Sequence, residues 1–140
     1  MLGSLAVLAT AACLATPVSA DRSRVHAGPF VGYLAAGYDD FGGRFSLRVG
    51  SMRTATMTSK IPWFLPAAGY ANISKLVVTG RRLGAARRFV QTLPGGPDTG
   101  GEYVYPSIIK PPTTGCWRLT FKAGTATGSL TMLARPRFHG

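Results

Sequence analysis

From Trp117 onward the chain alternates strictly: Trp117, Leu119 and Phe121 fall on one side of a period-2 ribbon, and Arg118, Thr120 and Lys122 on the other. A strand with one dry face and one wet face satisfies that pattern, and a helix does not. After a break at Ala123-Gly124-Thr125 the alternation resumes, with Leu130, Met132 and Ala134 on one face and Ser129, Thr131 and Leu133 on the other. The economical reading is a return hairpin, with Trp117 heading the inward face and so predicted to lie in the core.

The rest of the chain extends this theme. Its 18 glycines and 10 prolines punctuate the chain every few residues, and beyond the apolar N-terminus no window of 11 or more holds an uninterrupted i, i+3, i+4, i+7 apolar pattern, so no helix is predicted. Candidate strands are Phe45 to Val49, with Phe45, Leu47 and Val49 inward, then Thr54 to Thr58, Ile61 to Leu65, Ile73 to Thr79, Arg88 to Leu93 and Glu102 to Ile109. Trp63 and Phe64 sit beside apolar neighbours and read as core. Leu93 to Gly101, rich in glycine and proline, reads as a long loop that turns a corner. Short strands separated by turn signals predict a single all-β domain, an antiparallel β-sandwich.

Several of these segments carry a resemblance. The run Tyr105-Pro106-Ser107 through Pro111-Pro112 to Gly115-Cys116-Trp117-Arg118-Leu119-Thr120 resembles the C-terminal signature of a family of small bacterial exported proteins and lipoproteins with an immunoglobulin-like β-sandwich. Lys60-Ile61-Pro62-Trp63-Phe64 and Leu76-Val77-Val78-Thr79-Gly80-Arg81-Arg82-Leu83 are similar to two further strands of that family, with Trp-Phe here where many relatives have Trp-Trp. The match covers roughly residues 60 to 134. It implies a fold and an extracytoplasmic address, and no activity.

The N-terminus agrees with that address. Met1 to Ala15 is almost wholly small and apolar, and Val18-Ser19-Ala20 has the small-x-small form of a leader cleavage site, which divides the chain into a signal peptide, 1–20, and a mature domain, 21–140. Met1-Leu2-Gly3-Ser4 lacks the usual positive charge. The alternative takes Thr10-Ala11-Ala12-Cys13 as a lipobox, with Cys13 lipidated.

Removal at Ala20 would leave Cys116 without a cysteine partner. Two readings stand: a small buried hydrophobe, or a nucleophile served by His26 or His139 in a cryptic enzyme. Neither histidine lies in a motif that would orient it. Gly-x-Ser-x-Gly, His-Glu-x-x-His and Cys-x-x-Cys are all absent, so no metal, cofactor or serine-hydrolase chemistry is expected. Asp39-Asp40, the one close carboxylate pair, reads as part of a turn, and a non-enzymatic protein follows.

Charge is the remaining signal. Twelve arginines and four lysines face five acids, a net charge of +11. They concentrate in Gly80-Arg81-Arg82-Leu83-Gly84-Ala85-Ala86-Arg87-Arg88. A tight hairpin turning at Gly84-Ala85 would set Arg82 opposite Arg87 and Arg81 opposite Arg88, and directly opposed like charges repel. Either the connection is looser or an anion sits between the arms. Arg81, Arg82, Arg87 and Arg88 are therefore the candidate anion-binding residues, with an anionic cell-wall polymer or membrane surface as the partner class. The competing readings are a solvated basic face and a cationic membrane-active factor. No recognition-helix or zinc-finger pattern points to nucleic acid.

Overall fold

The computed structural model describes residues 13–50, 60–68, 75–98 and 100–137. The expected strand Thr54 to Thr58, His139 and the part of the expected signal peptide before Cys13 lie outside them. The described residues are all-β, with ten strands: β1 (Arg24–Ala27), β2 (Phe30–Tyr33), β3 (Ser46–Arg48), β4 (Lys60–Pro66), β5 (Lys75–Arg82), β6 (Arg88–Pro94), β7 (Gly96–Pro97), β8 (Glu102–Ile108), β9 (Gly115–Ala123) and β10 (Ala126–Arg135). They form two five-stranded sheets, ordered β1-β2-β4-β8-β7 and β3-β10-β9-β5-β6.

The hairpin read from the alternation is β9–β10, in register from Gly115↔Ala134 to Ala123↔Ala126. Its inward side chains, with Ile61, Trp63 and Leu65 of β4 and Leu76 and Val78 of β5, build one core shared by the two sheets. An aromatic chain runs through it: Phe30 and Trp63 flank Phe121 at 5.8 and 4.5 Å between ring centres, and Phe45 meets Trp63 edge-on at 6.3 Å. Trp117 is fully buried, as its place in the pattern predicts. Phe64 is corrected: it is half-buried on the outer side of β4 and packs edge-on against Tyr33 at 5.2 Å. Its neighbours Trp63 and Leu65 take the inward positions, and the two-residue period leaves Phe64 none.

Three further differences from the sequence reading have physical causes. The sandwich is not purely antiparallel, because β3 runs parallel to β10. The two strands come from opposite ends of the chain, and no hairpin dictates their direction. The expected loop from Leu93 to Gly101 is tied down by β7, where Gly96 pairs Val104 and Pro97 pairs Tyr103. Finally, Cys116 is not unpaired: Cys13 and Cys116 form a disulfide across 103 residues of sequence. Both sulfurs are engaged in that bond, so the nucleophile reading has no thiol, and His26 stands exposed on β1 in the other sheet.

Candidate anion site

The charge cluster sits where β5, β6 and β9 lie side by side. The β5–β6 register places Arg81 opposite Arg88, and the Arg82 amide donates to the Arg87 carbonyl at 3.0 Å, the two oppositions expected of a tight hairpin. The turn closes through the Ala85 amide on the Arg82 carbonyl at 3.3 Å, with Gly84 at a φ of 79° that other residues rarely adopt. At the strand end, Phe89 from β6 crosses Gly80 to meet Trp117 edge-on, ring centres 5.2 Å apart. A Cβ on Gly80 would lie 2.1 Å from the Phe89 ring, so only glycine lets the edge strand reach the core.

On its other side β5 pairs with β9, and here the structure adds a residue that the sequence reading left out: Arg118 is the partner of Arg81. Arg88, Arg81 and Arg118 thus stand in one row on the outer face of three adjacent strands, with neighbouring strands ~4.8 Å apart. All three are exposed. With Thr79 and Thr120 of the next row they line an open depression of about 230 Å3. The Arg118 guanidinium donates to the Ser129 hydroxyl at 2.9 Å, and Lys122 continues the basic face along β9.

The other two candidate arginines are not part of the row. Arg82 has the inward parity of β5, is half-buried, and donates through Nε to the Thr114 carbonyl at 3.0 Å. Arg87 is exposed in the connection beyond the turn. The structure therefore joins Arg81 to Arg88, adds Arg118, and separates Arg82 and Arg87 from them.

Among the described residues no carboxylate pairs with this row. Asp40 pairs with Arg22 at 3.2 Å, and Asp39 with Arg48 at 2.8 Å and Arg135 at 3.2 Å. Asp21 is held by Ser19 and Ser23, and Asp98 accepts from the Gly100 amide. Three cations in direct cross-strand opposition, each pair unfavourable by a few tenths of a kcal/mol, therefore have no internal compensation from an acid.

Asp40 serves the turn that follows it, accepting from the Gly43 amide at 2.6 Å, while Asp39 clamps the segment to the second sheet through Arg48 and Arg135. Burial alone would raise the Asp39 carboxyl, but hydrogen bonds from Arg48 and the charge of Arg135 outweigh it and hold the group below the usual aspartate range. A depressed folded value means that this contribution is present above the unfolded pKa of about 3.9 and is lost as pH falls through the lower folded value. Because Asp39 is partly exposed, screening keeps the contribution below about 1 kcal/mol. Asp39→Asn should accordingly melt slightly lower at pH 7 and lose less stability than the wild type on acidification below pH ~4; parallel melting curves across that range would contradict the clamp.

The chain matches no family model, no curated protein and no solved structure.

Proposed function

We propose that this chain is an exported, non-enzymatic domain of the cell envelope that binds anionic groups through Arg88, Arg81 and Arg118. The observation that carries the reading is the row itself: three guanidinium groups in direct register without a carboxylate to answer them. A guanidinium presents a planar fork of donors that fits phosphate and carboxylate oxygens two at a time. The hydroxyls of Thr79 and Thr120 at the edge of the depression can donate to the same oxygens. An anion seated there converts cross-strand repulsion into shared attraction, so binding is favoured twice. The partner class is an envelope polymer or lipid surface with phosphate or carboxylate groups. An immunoglobulin-like sandwich is part of the proposal, supported by the order β1-β2-β4-β8-β7 facing β3-β10-β9-β5-β6.

The test compares two variants of equal net charge for binding to purified teichoic acid and to phosphatidylglycerol vesicles. One is Arg81→Gln/Arg118→Gln in the row. The other is Arg24→Gln/Lys60→Gln, at exposed positions on the opposite sheet. The first should lose roughly tenfold or more in affinity, about 1.4 kcal/mol, and the second far less. Wild-type affinity should also fall steeply with salt, since exposed charges are screened over ~10 Å at 0.1 M. Equal losses in the two variants would assign the binding to net charge and refute a local site.

A further inference from the structure

Residues 13–20 are built into the domain. Besides the Cys13–Cys116 bond, Ala15 is buried at 3% exposure and its carbonyl accepts from Arg44 at 2.6 Å. Thr16 makes three bonds that tie β10 to the start of β3. Its amide donates to the Thr131 carbonyl at 2.9 Å and its carbonyl accepts from the Phe45 amide at 2.7 Å. Its hydroxyl accepts from the Thr131 amide at 2.9 Å. Val18 donates to the Gly43 carbonyl at 2.9 Å. The Ser19 hydroxyl accepts from the Ser23 and Arg24 amides at 3.2 and 3.0 Å. Cleavage after Ala20 would discard all of this and leave Cys116 as a free thiol.

We infer that export processing leaves residues 13–20 in place, any leader being cleaved upstream of Cys13, and that Cys13 is a disulfide partner in the exported protein and not a lipid anchor. A thiol–disulfide oxidant of the extracytoplasmic space then takes two electrons and two protons from the Cys13 and Cys116 thiols. Lipidation is incompatible with this state, because a diacylglyceryl thioether would occupy the same Cys13 Sγ.

The inference rests on export and is independent of the anion site. Its test is the intact mass and N-terminal sequence of the full chain recovered from outside the cytoplasm of a secreting bacterial host, before and after reduction. A second version carries two lysines inserted after Met1, to supply the charge that leaders normally have. The expected product retains an unacylated Cys13 and is two hydrogens lighter than its reduced form. A product beginning at Asp21, one acylated at Cys13, or an exported one carrying two free thiols would overturn the inference while leaving export or the anion site standing. Retention of both versions in the cytoplasm as thiols would overturn the export reading and this inference together.

Discussion

Trp117→Ala should lower the unfolding free energy by about 3–5 kcal/mol, the range for removing a fully buried large aromatic. The side chain has no solvent exposure, and its loss acts on three groups at once. Phe89 loses the ring against which its edge packs, the Thr113 carbonyl loses the indole N–H that donates to it at 3.0 Å, and β10 loses the side chain beside Met132. Against a typical total of 5–15 kcal/mol this is a large fraction, visible as a shifted urea midpoint. Trp117→Phe, which keeps a ring and gives up the N–H donor, should cost distinctly less. A Trp117→Ala variant within about 1 kcal/mol of wild type would mean that the core does not close around this residue.

Breaking the Cys13–Cys116 bond should have a comparable effect, about 2–5 kcal/mol for Cys116→Ser in the otherwise unchanged full chain. The loop it closes spans 103 residues, so the unfolded chain regains much conformational freedom once the link is gone. The oxidised protein, unfolded in urea, should take up no thiol reagent until a reductant is added. Uptake of two equivalents without reduction, or an unchanged midpoint for Cys116→Ser, would remove the disulfide from the account of stability.

The long, one-sided strands were legible because each states its faces locally. β9 and β10 follow from alternation alone, and β4, β6 and β8 differ from their expected spans by at most a residue or two at their ends. β5 runs three residues past its expected end, because the arginines that close it are held by pairing to β6 and β9 and not by apolar alternation of their own. β1 and β2 escaped notice at four residues each, too few to show a period, and β2 carries Gly32, small because the Trp63 ring crosses it. The same division governs the site. Arg81 against Arg88 is a hairpin relation between residues seven apart, readable once a turn is placed at Gly84. Arg118 joins them only through the β5–β9 register, which depends on how distant strands dock, and its alternation marked it merely as outward. Arg82 was misgrouped because adjacency in sequence means opposite faces in a strand.

The parallel pairing of β3 with β10 gives that edge of the second sheet a particular response to a mechanical load. If β3 were drawn out from its N-terminal side while β10 was held from its C-terminal side, the two strands would slide past one another along their length. Every hydrogen bond between them would then be strained together, whereas a hairpin pulled apart at its open end gives way one bond at a time. The Cys13–Cys116 link lies upstream of β3, so tension arriving from the N-terminus passes covalently into β9 at the centre of the second sheet before it can reach that ladder. A domain tethered at one end and gripped by a polymer on its β5–β9 face would thus transmit force through its most heavily paired strand, and the short β3 would carry little of it.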